Sequence, residues 1–275
     1  MKNSAHSSSC AMPGRYASTS TKHKSIIPMI EERMIALRDD AQVENLSRFF
    51  KTGPGQYGEG DRFLGIKVPV TRSLVKEIWK ECSLDELETA VASPWHEVRL
   101  CALLVLVQLY KHARKDIDFQ GRCVEFYLSH TRYINNWDLV DLSCYEILGS
   151  WLLDKDRGTL YSLARDGRTI WEQRIGIVSC MQLVRHGELA DTLAISDILL
   201  HHQHDLIHKA TGWMLREVGK RDEALLRSYL ETPAPGESVP RCAAMPRTML
   251  RYAIEKLPEA DRMAFMLYSG NRAQG

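Results

Sequence analysis

Long apolar runs, paired cysteines and an excess of charge of either sign are all missing from this sequence. No stretch approaches the roughly 18 consecutive apolar residues that cross a bilayer. The most apolar segment, Leu100 to Tyr110, is shorter and contains Gln108, so no membrane partner is expected. The cysteines (Cys10, Cys82, Cys101, Cys123, Cys144, Cys180 and Cys242) are odd in number, scattered and without a CxxC pair. They read as reduced, mostly buried thiols rather than a disulfide framework or a zinc site, and no metal centre is expected. Lys and Arg number 36 against 35 Asp and Glu, a formal net charge of +1. Residues 1–30 hold Lys2, Arg15, Lys22 and Lys24 and no acid, so the remainder carries 32 basic against 35 acidic residues. Bulk charge therefore makes no case for nucleic-acid binding, and any such case must rest on local placement.

What remains is a globular composition, 44% hydrophobic and 26% charged, in a 275-residue chain. That length fits one large or two small domains. Residues 1–25 are Ser/Thr-rich and basic. They have the composition of a transit peptide without helical spacing of their apolar residues, and read as a disordered tail. From Ile26 onward apolar residues recur at threes and fours, as in Ile30 to Leu37, Val98 to Tyr110, Val140 to Leu153, Ile175 to Leu183, Leu206 to Val218 and Met249 to Ile254. The separators are short and carry breakers: Ser93-Pro94, Asp154 to Gly158, Gly167 and Pro233 to Pro240. No segment sustains the alternation of a sheet, so the fold is expected to be all-α.

A repeat emerges when the helix starts are stacked. Arg99, Asp138, Arg174 and Lys209 fall at equivalent places, separated by 39, 36 and 35 residues. Each step holds one long helix and a shorter amphipathic one, the content of a HEAT-like solenoid in which every hairpin buries its apolar face against its neighbours. We therefore expect a curved solenoid of antiparallel HEAT-like helical repeats. It should form a single domain over 26–268, with 269–275 as a flexible C-terminus, and its concave side is the natural binding surface.

Three motifs compete for a function. Gly53-Pro54-Gly55-Gln56-Tyr57-Gly58 fits the string GxGxxG, but a helix precedes it and Glu59 and Asp61 follow it. A pyrophosphate site needs a strand before the glycines and no acids beside them, so no nucleotide cofactor is expected. The segment reads as a flexible surface loop, long enough from Gly53 to Gly65 to have a role. His201, His202, His204 and His208 lie at a turn between helices with only Asp205 to help, which makes a polar turn or a contact to phosphate the better reading than a metal site. Trp137-Asp138-Leu139-Val140-Asp141 is the stronger signal. Trp137 and Asp141 share a helix face, and the repeat puts Ala102, Ile177 and Gly212 at the sister positions of Asp141. An acid thus stands where packing is expected, and burying it unpaired is costly. Arg174 of the next repeat is a candidate partner, and Arg99 a weaker one. Trp213 stands four residues after Lys209 and three before Arg216. Trp137, Trp213, one carboxylate and one arginine would together line a patch able to stack on sugars and to stabilise positive charge.

These residues carry a resemblance. Phe63-Leu64-Gly65-Ile66-Lys67-Val68-Pro69, Trp137 to Asp141, Ile170-Trp171-Glu172-Gln173-Arg174 and Lys209 to Glu217 occur in the order and separations of the AlkD-like family of HEAT-repeat DNA glycosylases. The similarity runs from about Phe49 to Tyr252. It implies Asp141 as the catalytic aspartate, Trp137 and Trp213 as the active-site tryptophans, and Arg174 beside the DNA backbone. The implied activity is monofunctional hydrolysis of the N-glycosidic bond of cationic N3- or N7-alkylated purines in duplex DNA. It would need no cofactor and no base-flipping pocket, and would be carried out by a monomer in a bacterial cytosol or nucleoid. Lys209, Arg216, Arg168, Arg247 and Arg251 are further candidates for phosphate contact. The chain departs from the family pattern at Asn136, where a second aromatic is frequent, and in the Gly53–Asp61 loop, which looks like an insertion. Two other classes remain open: a non-catalytic binder of bent or branched DNA, and a protein-binding scaffold with the tryptophans as anchors.

Overall fold

The computed structural model describes residues 26–270, so the tail expected over 1–25 and the chain beyond Gly270 lie outside the described residues. Within them the regular structure is helical, with only isolated bridges between Arg62 and Trp95 and between Pro233 and Pro240. In chain order the helices are α1 (Ile26–Ala36), α2 (Asp40–Phe49), α3 (Val68–Ile78), α4 (Leu84–Val91), α5 (His96–His112), α6 (Ile117–Ser129), α7 (Trp137–Asp141) and α8 (Gly158–Asp166). They continue with α9 (Ile170–Val178), α10 (Cys180–Arg185), α11 (Ala190–Ile198), α12 (Asp205–Arg221), α13 (Glu223–Glu231), α14 (Arg241–Ala244), α15 (Arg247–Ala253) and α16 (Glu259–Gly270). None is long and apolar enough to cross a membrane.

Short polar residues start many of these helices by capping free backbone N–H groups. Asp39, Asp116, Asn136, Thr169 and Asp222 each accept from an amide of the first turn. Ser83 and Glu86 form a reciprocal capping box at α4. The shorter helices α4, α6, α8, α11 and α13 alternate with the longer stretches that begin at α5, α7, α9, α12 and α14. The inner helices α3, α5, α7, α9, α12 and α15 pack against one another in that order. This is the helical-repeat solenoid that the spacing predicts, and the row of inner helices is what brings residues 35 or so apart in sequence side by side.

The core follows the patterning. Helix α5 is buried on nearly every side, from Val98 through Val107, so its sequence is apolar all round. Its one buried acid, Glu97, accepts hydrogen bonds from the amides of Leu64, Gly65 and Ile66 at 2.9, 2.9 and 3.1 Å. That contact pins the Phe63-to-Pro69 segment to the core. Gly65 is required there: its φ is +84°, and a Cβ would sit 2.1 Å from the carbonyl oxygen of Asp39. A second cluster, built on Leu226, Leu230, Leu250 and Phe265, packs α13 to α16 together. The described cysteines, Cys82, Cys101, Cys123, Cys144, Cys180 and Cys242, are free and buried.

Two expected helices differ. The pattern over Val140 to Leu153 predicts one continuous helix, but α7 ends at Asp141 and a wide π-type turn follows over Tyr145–Gly149. Ser143 explains the break: its hydroxyl donates to the carbonyl of Leu139 and pairs with the Tyr127 hydroxyl at 3.1 Å, competing with the helix's own ladder. Likewise Ile175 to Leu183 divides at Ser179 between α9 and α10. The irregularities meet, because a Cβ on Gly149 would lie 2.3 Å from the Ser179 carbonyl oxygen. Such irregular turns re-aim the residues next to them, and Asp141 is one of those residues.

Candidate active site

The sister positions of Asp141 are packed as the repeat requires. Ala102 and Ile177 are buried, and Gly212 lies so close to α15 that a Cβ would come within 2.4 Å of the Met249 carbonyl oxygen. Asp141, at the end of its short helix, instead faces a cleft of about 820 Å³ on the inner-helix side. Its carboxylate is gripped by Arg174, whose Nε and Nη2 donate to Oδ1 and Oδ2 at 2.8 and 2.7 Å. A third guanidinium N–H of Arg174 goes to the carbonyl of Leu206. The pair is largely enclosed, with side-chain exposures of 14% for Asp141 and 6% for Arg174. Burial pushes the Asp141 carboxyl above the usual carboxylate value, while the charge and hydrogen bonds of Arg174 pull the other way. Two-pronged binding by a guanidinium uses both oxygens as acceptors, which is the geometry of the ionised group. Each oxygen keeps a second lone pair for a ligand in the cleft.

Aromatic side chains wall the carboxylate. Trp137, one helical turn before it, stacks on Phe50 with ring centroids 5.3 Å apart, and Phe49 meets its edge at 5.8 Å. Phe49 itself is 61% exposed at the mouth of the cleft. Trp213 and Tyr252 close the cleft from α12 and α15. A neighbouring apolar hollow of about 400 Å³ adjoins at Phe49, Trp137 and Asp141. Of its polar walls, Glu97 is committed to the backbone of residues 64–66 and His96 to Asp138 at 2.9 Å, while Lys67 and Asp141 also line it.

The cleft unites Asp141, Trp137, Trp213, Arg174, Lys209 and Arg216, as the sequence pattern predicts. Two of those cations are compensated. Lys209 Nζ is 2.8 Å from Asp205, a contact that raises its pKa, and Arg216 pairs with Glu255 and, at 3.5 Å, with Glu217. Three predicted contacts are not brought into the cleft lining. Arg168 turns to Glu172 at 3.2 Å with its side chain largely in solvent, Arg247 donates to the carbonyl of Met266 at 3.1 Å, and Arg251 lies exposed on α15. The weaker partner proposed for Asp141, Arg99, belongs to a different network described below. The histidines of the α11–α12 turn are engaged locally: His201 with Glu237, His202 with Gln173, His204 capping the Leu206 amide. Only His204 reaches the cleft, and burial lowers its pKa. No group of three or more metal-ligating side chains is gathered among the described residues.

Sequence reasoning misses Arg48, Phe49, Lys51, Tyr57 and Tyr252, all of which line the cleft, whereas His204 is among the histidines that it reads as a polar turn or a phosphate contact. The available signal was Arg48-Phe49-Phe50-Lys51, two cations flanking two aromatics at the mouth of the glycine-rich loop. That loop is not the freely flexible segment its composition predicts. Asp61, only 2% exposed at its side chain, binds His96 Nδ1 at 3.1 Å, pairs with Arg99, and accepts from Asn135 and Asn136 at 3.2 and 3.3 Å. His96 then passes to Asp138. Burial works against charge on His96, but the two carboxylates prevail and its pKa rises to about 9. Burial likewise opposes ionisation of Asp61, yet His96 and Arg99 bring it down to about 2. Asn136 also caps α7 by accepting from the Trp137 amide at 2.9 Å. Asn136 thus ties the glycine-rich loop to the start of α7.

A family model described as DNA alkylation repair enzyme matches residues 30–257. No curated protein matches. A solved structure described as a predicted DNA alkylation repair enzyme from Enterococcus faecalis shares the fold at a TM-score of 0.62 and 17% identity, over 81% of this chain and 97% of that one. Since the family model spans the solenoid and every inner helix that lines the cleft, the chain belongs to the DNA alkylation repair enzyme family.

Proposed function

We propose that the protein is a hydrolytic DNA glycosylase that removes cationic N3- or N7-alkylated purines from duplex DNA. The observation that carries this reading is the Asp141 carboxylate in an aromatic-walled cleft, held by both oxygens on Arg174 yet retaining lone pairs toward the cavity. Alkylation gives the base a positive charge, so the electrons of the C1′–N bond neutralise it as it leaves and no acid is needed to protonate it. The charge moves to the deoxyribose, where a fixed carboxylate stabilises it. Water then adds at C1′ and gives up a proton, Asp141 being the acceptor at hand. Trp137 and Trp213 supply faces for the sugar and backbone. Because the cation forms on the sugar, the enzyme can work without reading the base.

Lys209, one of two lysines lining the cleft and four residues before Trp213, is the candidate to test as an imine-forming nucleophile. That role needs a neutral amine, which a lysine reaches by a lowered pKa. Its contact with Asp205 does the opposite, which supports a hydrolase without lyase activity. The test is release of free 7-methylguanine and 3-methyladenine from methylated duplex DNA. Wild type should release both, and Asp141→Asn should lose at least ~100-fold in rate, the scale of losing a fixed charge-stabilising group, with duplex binding kept within a few-fold. Full activity in that variant would remove Asp141 from the mechanism. Binding without release by the wild type would favour the non-catalytic DNA binder.

A further inference from the structure

The glycine-rich loop is the part of the cleft that the proposed chemistry leaves unused, and it is built to hold one side chain in place. Its start is fixed by the Gly58 amide donating to Lys51 O at 3.1 Å, and a Cβ on Gly58 would lie 2.3 Å from the Phe50 carbonyl oxygen. Its interior is folded onto itself: Gln56 accepts from the Gly53 amide at 3.0 Å and Glu59 from the Gly55 amide at 2.8 Å. Its end is the buried Asp61, bound by His96, Arg99, Asn135 and Asn136. Between these anchors Tyr57 projects into the cleft. Its ring meets the edge of Trp171 on α9 at 6.0 Å, so the loop reaches from α2 across the inner face to a helix more than 100 residues later.

The hydrogen bonding of Tyr57 is incomplete. The acceptor that its O–H reaches is Phe49 O at 3.5 Å, the outer limit of a hydrogen bond. Burial raises its pKa, so the proton stays on at neutral pH. Arg174 and Lys209 lie near enough to act on it by charge. A donor without a good acceptor, in a cleft lined by Arg48, Lys51, Arg174 and Lys209, suits an anionic oxygen.

We propose that Tyr57 is a substrate-contacting residue whose O–H donates to a phosphodiester oxygen of the strand that carries the damaged nucleotide. The proposal rests on the glycosylase reading for where that strand lies, but its test needs no base release. The probe is a duplex with a tetrahydrofuran abasic-site analogue, made with normal phosphates or with neutral methylphosphonate linkages at single positions flanking the lesion. Tyr57→Phe keeps the ring and removes only the hydroxyl, and its thermal unfolding midpoint should match wild type. It should bind the abasic duplex 5- to 20-fold more weakly and undamaged duplex within twofold of wild type. At one flanking position the methylphosphonate should weaken wild type by a similar factor and Tyr57→Phe no further, because both changes remove the same bond. Independent, additive losses at every position would overturn the proposal, as would unaltered affinity in Tyr57→Phe. Wild type that binds the probe but releases no base would sink the glycosylase reading alone, and failure to bind duplex DNA at all would sink both.

Discussion

Asp138 and Asp141 stand three residues apart on one short helix and lead opposite lives. Asp138 joins a sealed network in which Asp61 and Asp138 face His96 and Arg99, with side-chain exposures of 5% or less. Two carboxylates meet two cations and the charged partners all come from the protein, although Arg99 Nε is left buried without a partner. Asp141 uses the same chemistry with its neighbouring arginine, but one side of the pair opens on the cleft. An ion pair is therefore structural or functional according to access, not composition. Removing one partner of a closed pair strands a buried charge, whereas at the open site water can take its place.

That contrast can be broken most sharply at the two arginines. Arg99→Ala should destabilise the protein by about 3–5 kcal/mol, the usual cost of orphaning a buried charge. Arg174→Ala should cost about 1–3 kcal/mol because Asp141 can be hydrated from the cleft, while losing most base release. Urea unfolding midpoints measure the first effect and base release the second, and equal destabilisation would erase the distinction between open and sealed pairs. Next in size is a pH effect confined to the sealed network. The His96 pKa is about 9 in the folded chain against an ordinary 6.5. Its contribution is complete below the unfolded value and should be lost as pH rises through about 9, a fall on the order of 3 kcal/mol. Asp61, lowered to about 2, loses its share only as pH falls through that value. Unfolding midpoints at pH 6, 7.5 and 9.5 should show the alkaline loss in wild type and not in His96→Gln.

Smaller effects are expected at the rim. Arg48→Ala and Lys51→Ala should each weaken duplex binding about 3- to 10-fold and reduce the salt slope by about 0.9, as for loss of one phosphate contact. A titration of affinity against salt concentration checks this. Least of all, Arg168→Ala should change duplex affinity by less than about twofold and stability by less than about 0.5 kcal/mol, because its partner Glu172 lies on its own helix turn and its side chain is in solvent. A large loss of binding there would return Arg168 to the interface.

Legibility tracked the range of the interactions involved. Trp137, Asp141, Arg174, Lys209, Trp213 and Arg216 could be grouped in advance because they occupy one face of successive inner helices, where the 3.6-residue period and the repeat length determine neighbours. Arg168, Arg247 and Arg251 were grouped with them on charge alone, and charge does not specify direction: each turns to its own surroundings instead of the cleft. The breaks at Ser143 and Ser179 were hidden because apolar spacing continues across them, while hydroxyl back-bonding and the approach of Gly149 decide the backbone. The loop was the least legible part. Its glycines read as freedom, yet Asp61 finds partners 35, 38 and 75 residues later, and no local pattern announces such a contact.

By itself the sequence determined that this chain is an all-helical array of hairpins near 36 residues in step, with one acid placed against the grain of the repeat. Periodicity is a local property of the chain, and burial of one face per helix converts it into architecture. Only the tertiary structure decided which carboxylate is open and which sealed, that Arg174 and not Arg99 holds Asp141, and that a glycine-rich loop carries Tyr57 into the cleft. Those choices depend on the packing of elements distant in sequence, where a turn of backbone by one residue changes which side chain meets water.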